Sequence, residues 1–158
     1  MIKRIVLGDM HGHIDHVKDI YDYEKPDEVI MLGDYLDSGS VLLKDQYKAF
    51  DELIKMKENH KDPNKFILLI GNHDFHYMYD RASYSGYSNN TWVTMHHTLM
   101  KLFECKKMQF IYVDKINNII YSHAGISDIW FNEHCNNISD LEDINQLNFR
   151  SFDFTYGN

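Results

Sequence analysis

No apolar run in the 158-residue chain approaches the ~20 residues that a membrane-spanning helix needs. The N-terminus, Met1-Ile2-Lys3-Arg4, leads straight into a strand-like run without the pattern of a signal peptide. Cysteine is scarce: Cys105 and Cys135 stand alone, without CxxC spacing, as ordinary thiols in a reducing compartment would. Basic residues form no block, and the formal charge is −8, which disfavours the clustered basic face of a nucleic-acid groove. Low-complexity linkers are absent. With 44% hydrophobic residues the chain is too apolar to be disordered. These absences leave a single soluble domain over residues 1–158, expected in the cytoplasm, with no membrane partner and nucleic acid unlikely as a partner.

What is present is one theme used four times. Ile5-Val6-Leu7 empties into Gly8-Asp9-Met10-His11-Gly12. Val29 to Leu32 leads to Gly33-Asp34-Tyr35-Leu36-Asp37-Ser38-Gly39, Phe66 to Ile70 to Gly71-Asn72-His73-Asp74, and Ile119 to Tyr121 to Ser122-His123-Ala124-Gly125. Strand ends in an open α/β sheet converge on one edge, where ligands bind. Asp9 and His11 are one residue apart, so extended backbone would send both side chains to the same face. For each loop alone, polar capping of a strand end is the competing reading; the joint pattern favours a metal site.

Between these loops the periodicity is helical. Ile14, Val17, Ile20 and Tyr21 predict a helix from Ile14 to about Glu24, broken by Lys25-Pro26-Asp27. Leu43, Tyr47, Phe50 and Ile54 predict a second from about Val41 to Glu58, with Ser40 as its cap. Asp62-Pro63-Asn64 breaks that one, and the apolar run Phe66 to Ile70 reads as a strand buried on both faces. The β-α-β-α-β order predicts parallel strands with right-handed crossovers. Tyr77 to Tyr87 reads as a loop whose tyrosines either line a substrate wall or pack together. A helix from Asn90 or Thr91 to about Lys106, a hairpin of Gln109–Val113 with Ile119–Ser122, and a short helix at Ser139-Asp140-Leu141-Glu142 complete the reading.

Oxygen and imidazole ligands without cysteine suit Mn, Fe or Zn. Asp9 and His11 can hold one ion, Asp34 can bridge to a second, and Asn72 and His123 can complete it. Two ions ~3.5–4 Å apart can clamp a phosphate and activate a water. His73 is the candidate acid for the leaving oxygen, and Asp37 can orient its imidazole. Lone histidines elsewhere (His13, His16, His60, His76, His134) and the pair His96 and His97 are assigned packed, surface or supporting roles.

Gly8-Asp9-x-His11-Gly12, Gly33-Asp34-x-x-Asp37-x-Gly39, Gly71-Asn72-His73-Asp74 and Ser122-His123-Ala124-Gly125 resemble the calcineurin-like metallophosphoesterases over residues 5 to 126. They are most similar to the phosphoprotein-phosphatase branch, which includes bacterial and phage serine/threonine phosphatases and diadenosine-tetraphosphate hydrolases. The resemblance implies an α/β fold: a metallophosphoesterase-type β-sandwich flanked by helices. It implies two divalent transition-metal ions, Mn foremost, with Asp9, His11 and Asp34 at one and Asp34, Asn72 and His123 at the other. It also implies His73 and Asp37 as the acid assembly and phosphoester hydrolysis as the activity.

Three departures shape the expectations. Asp37-Ser38-Gly39 stands where the branch has Asp-Arg-Gly, so the arginine that grips substrate phosphate is missing. Arg81 and Arg150 are candidate phosphate contacts, with ordinary salt bridges the favoured competing reading. Asp74 stands where that branch carries Glu. Nothing after His123 matches the Gly-His segment that supplies the family's last ligand, so the chain is expected to lack a C-terminal part, with an incomplete second sheet. Self-association through an open sheet edge and a weakly held second ion would follow. The function expected is hydrolysis of phosphomonoesters, on protein or small molecules, ahead of dinucleoside polyphosphates. The alternative is a non-catalytic metal- or phosphate-binding domain, or an inactive truncated phosphatase.

Overall fold

The computed structural model describes residues 2–79 and 86–146. Three short parallel strands, β1 (Arg4–Leu7), β2 (Glu28–Met31) and β3 (Phe66–Leu68), form a sheet in the order β1-β2-β3. Helix α1 (Asp15–Glu24) connects the first two strands, and α2 (Leu43–Asn59) with a short 3-10 turn (Pro63–Lys65) connects the second pair. The period-2 geometry of a strand decides what each residue meets. Val29, Met31, Phe66, Leu68 and Ile70 join the main core with residues of α1 and α2, while Ile30, Ile67 and Leu69 face the other way into a second, smaller cluster. Strand β3 is therefore buried on both faces, as its unbroken apolar run predicts.

The hairpin of β4 (Ile111–Asp114) and antiparallel β5 (Ile119–Ser122) supplies Tyr112 and Tyr121 to that smaller cluster, so the two sheets pack face to face. Ahead of β4, Gln109 pairs with the end of β3: it donates its N–H to the Leu68 carbonyl, and its own carbonyl accepts from Ile70. Helices α3 (Asn72–Met78) and α4 (Asn89–Glu104) follow β3 and pack on each other. Beyond the hairpin lie α5 (Asp128–His134), capped by Ser127 and not signalled by periodicity, and a 3-10 helix (Ile138–Gln146). The latter buries Leu141 and Ile144, and the Asn145 amide bonds the backbone of Phe110 and Ile111. No described helix is long and apolar enough to cross a membrane.

The result is the mixed α/β architecture expected, with a small second sheet. Several local expectations need correction. The loop after β2 reaches to Leu42 rather than Ser40, because Ser38 Oγ accepts the N–H groups of Ser40 and Val41 and holds the chain in a turn. Leu43 is exposed, and the inward stripe of α2 is Gln46, Phe50, Leu53 and Ile54. Gln46 is tolerated inside because its amide is satisfied by the N–H and C=O of Ser38 and the C=O of Val41. Tyr77 and Met78 belong to α3, not to a loop. Helix α4 starts at Asn89, one residue before the expected caps. The segment at Ser139 begins one residue earlier, as a 3-10 helix, with Asp140 accepting from the N–H groups of Asn136 and Asn137.

Arg4 ties the first strand to the hairpin. Its guanidinium reaches Glu28 on β2 and, at 2.6 Å, Asp114 Oδ2 on β4. Asn117, through its side chain and backbone N–H, and then Arg4 hold the Asp114 carboxyl down to about 2. A carboxyl depressed in the fold stabilises it above the unfolded value of about 4, and that contribution is lost as pH falls towards 2. Thermal denaturation followed from pH 5 to pH 2 should therefore show a shallower loss of Tm for Asp114→Asn than for the native chain. Equal slopes would overturn the assignment.

Candidate metal centre

Parallel strands end on the same side, so the loops after β1, β2 and β3 meet there. The first loop is bonded to the second: His11 N–H donates to the Asp34 carbonyl at 2.7 Å, and Gly12 N–H to the Tyr35 carbonyl at 2.8 Å. The second is bonded to the third through Asp74. Its carboxylate accepts N–H groups from Asp34 (2.7 Å), Tyr35 (2.9 Å) and Gly71 (3.0 Å). The hairpin joins them through His123, whose Nδ1–H donates to the Leu32 carbonyl at 3.1 Å.

Asp34 is the hub. Its carboxylate is 3% exposed as a residue, and Oδ1 accepts the backbone N–H of His73 at 2.9 Å. Oδ2 lies 3.3 Å from His123 Nε2 and 3.7 Å from His11 Nε2. Ligand atoms of Asp9, Asp34 and His123 lie within 4.8 Å of one another, and so do those of His11, Asp34 and His73. Asn72 joins through its Oδ1, 3.0 Å from His123 Nε2. Asp9 and His11, expected on one face of extended backbone, instead have φ of 52° and 40°. Extended backbone is therefore not what presents them, but each still brings a ligand atom within 4.8 Å of an Asp34 oxygen.

The donor chemistry tests whether a cation fits. His11 Nδ1 faces the Leu36 carbonyl at 2.9 Å, and His123 Nδ1 faces that of Leu32. A carbonyl only accepts, so both rings carry a proton on Nδ1 and, when neutral, a lone pair on Nε2. The His123 lone pair then points at two oxygen atoms, of Asn72 and Asp34, that offer only lone pairs. Such an arrangement repels unless a proton or a metal ion sits among the three. Backbone carbonyls fixing the far nitrogen are also the usual support of metal-bound histidine. The donor set therefore fits a divalent ion.

Electrostatics follow the same geometry. Burial would raise the Asp34 carboxyl, but His123 and the His73 N–H outweigh it and hold it below its usual range. The Asp34 contact in turn raises the His123 imidazole, against the effect of burial. Asp74, wholly buried, is pushed up to about 7 despite its three N–H donors.

Beside the hub, His73 Nδ1 lies 3.0 Å from Asp37 Oδ2. Three neighbours make contacts that sequence reasoning did not foresee. Asp74 is the brace between two loops; the available signal was an acid three residues after the Gly71 helix cap. His76, assigned a surface or supporting role, is 1% exposed and its Nε2 lies 2.7 Å from Asp37 Oδ2. Its i, i+3 spacing from His73 was the clue. Tyr77 is buried, donates its hydroxyl to Asp37 Oδ1 and stacks on Tyr87. By contrast His13 and His134 are exposed, the latter stacked on Trp130. His96 bonds the Tyr77 carbonyl. Arg81 and Arg150 lie outside the described residues, as does Tyr84.

Two glycines make the close approach possible. A Cβ on Gly71 would stand 2.1 Å from Asp34 Oδ1, and one on Gly33 (φ 110°) 2.3 Å from the Gly71 nitrogen. Nothing would meet a Cβ on Gly39 within 4 Å. Gly71→Ala should cost about 1–3 kcal/mol of stability by overpacking, measured by denaturant unfolding, while Gly39→Ala costs little. A neutral Gly71→Ala would show that the loops are not locked together in this way.

Residues 2–156 match the sequence model of the calcineurin-like phosphoesterases. No curated protein and no solved structure matches the chain. Metal-dependent phosphoester hydrolysis is the activity that this family suggests. The match spans nearly the whole chain, and on that ground the protein belongs to the calcineurin-like phosphoesterase family.

Proposed function

We propose that the chain hydrolyses phosphomonoesters, on protein or small molecules, at a dinuclear centre of the phosphoprotein-phosphatase type. The observation that carries this reading is Asp34, whose carboxylate is common to the Asp9–His123 and His11–His73 groups. Asp9, His11 and Asp34 would hold one ion, and Asp34, Asn72 and His123 the other; the oxygen and imidazole set suits Mn, Fe or Zn, of which Mn is the ion proposed. When bound, such ions neutralise phosphate oxygens and acidify the attacking water.

The chain's own residues do the rest. The Leu36 and Leu32 carbonyls fix the tautomers of His11 and His123, so each presents Nε2 to the centre. The His73 N–H and His123 orient the Asp34 carboxylate. His73 keeps its Nδ1 proton on Asp37 and delivers the Nε2 proton to the leaving oxygen as the ester bond breaks. Asp37 offsets the charge of the doubly protonated ring. An acidic net charge of −8 argues against nucleic acid as substrate.

Chelated protein should lose hydrolysis of p-nitrophenyl phosphate and regain it with Mn(II). Undiminished turnover in chelator would refute metal dependence. His73→Ala should lower kcat for an alkyl phosphate such as glycerol 2-phosphate on the order of 10²–10⁴. Because its backbone N–H still reaches Asp34, metal content measured by elemental analysis should hold. Asp34→Ala should lose metal. If His73→Ala strips the metal as well, His73 is a ligand and not the acid.

A further inference from the structure

We propose that His76 and Tyr77 are positioning residues that hold the His73 imidazole in its working orientation through Asp37. The inference rests on the phosphoesterase reading above and deepens it.

Three side chains of α3 converge on one carboxylate. His73, His76 and Tyr77 are spaced i, i+3 and i+4, which puts them on one face of the helix. Asp37 Oδ2 lies 3.0 Å from His73 Nδ1 and 2.7 Å from His76 Nε2, and Oδ1 accepts the Tyr77 hydroxyl. The Asp37 side chain is 0% exposed, so these groups stand where water would otherwise solvate it. Its backbone is left-handed, with φ of 67°, and a Cβ on Gly86 would come within 2.9 Å of Asp37 Cβ. A carboxylate bonded to His73 alone could rotate about its own bond to Cβ. The Tyr77 hydroxyl bonds one oxygen and His76 Nε2 lies against the other, and together they restrict that rotation. The direction of the His73 Nδ1–H is then restricted, and with it the direction of Nε2 on the far side of the ring.

Burial supports the same conclusion. A polar ring at 1% exposure costs stability unless its nitrogens are engaged. His76 packs edge-on to His73, Tyr77 and Tyr87, at ring separations of 5.5, 4.1 and 5.2 Å, where an apolar side chain of similar shape would fit. Its contact with Asp37 accounts for a histidine there. An acid displaced by about 1 Å can lose on the order of 10² in rate, so orientation at this position has kinetic weight.

The test uses the metal-loaded protein and leaving groups of different basicity. An alkyl phosphate such as glycerol 2-phosphate needs its leaving oxygen protonated, whereas p-nitrophenolate leaves with little help. His76→Phe and Tyr77→Phe should each lower kcat for glycerol 2-phosphate about tenfold, with KM unchanged, a loss typical of removing an orienting partner. The p-nitrophenyl ester should suffer much less. His76→Gln, which restores an N–H near the Nε2 position, should recover most of the loss. Should His76→Phe fail to fold, Tyr77→Phe keeps the ring stacked at 5.3 Å on Tyr87 and carries the test. Equal losses on both esters, or none, would overturn the proposal. If the native chain turns over neither ester, the phosphoesterase reading fails. Proton NMR of the Zn(II)-loaded protein then decides positioning alone. The His73 Nδ1–H signal, assigned by its absence from His73→Gln, should shift or broaden in Tyr77→Phe and His76→Phe. An unmoved signal in both variants would refute the role.

Discussion

A single buried carboxylate holds the centre together. Asp74 accepts the N–H groups of Asp34, Tyr35 and Gly71, which lie past the strand ends and have no ladder partner to donate to. Two loops that only approach each other thereby become one rigid unit. The carbonyls of the same Asp34–Tyr35 segment accept from His11 and Gly12, so the first loop is set by the position of the second. Each candidate side chain leaves a backbone whose place depends, directly or at one remove, on this brace.

The brace works against local strain. Asp9, His11, Asp34 and Asp37 all have positive φ, where a side chain costs about 1–2 kcal/mol and glycine would cost nothing. Glycine cannot stand there, because each position also supplies a carboxylate or imidazole to the cluster. Asp tolerates left-handed backbone better than most residues, which suits it to three of the four. The strain is offset by hydrogen bonds between loops, and by Gly33 and Gly71, whose missing Cβ atoms let Asp34 lie against the third loop. Glycine is thus spent where backbones must touch, and left-handed Asp and His where chemistry must be presented.

This division explains what could be read from sequence. The strands and main helices were legible because alternation and the 3.6 period are local signals: Phe66 to Ile70 and the Val17 stripe are visible without a partner. The candidate residues were legible because they sit at strand ends beside glycine. The backbone that presents them was not. Asp9 and His11 read as extended but are left-handed, a local conformation that hydrogen bonds to a distant loop hold in place. Likewise Asp74 looked like a variant motif residue because its three donors come partly from residues some forty positions earlier. Tyr77 opened a stretch that reads as loop, and His76 stood just ahead of it, until α3 is seen to run to Met78.

Ser38 shows how the same economy reaches substrate recognition. Where the Asp-Arg-Gly motif that this loop resembles would place an arginine, the chain has a serine whose Oγ accepts from Ser40 and Val41 and whose backbone engages Gln46. That hydroxyl is committed to shaping the entry to α2, and Gln46 in turn packs where a Cβ on Gly12 would stand, 2.7 Å from its Cγ. Ser38 therefore strengthens the scaffold under the first loop instead of reaching a phosphate. Among the described residues Arg4 is the sole arginine, and Glu28, Asp114 and Tyr121 already engage its guanidinium. Among the described residues, then, no arginine reaches towards phosphate from the Asp37 loop.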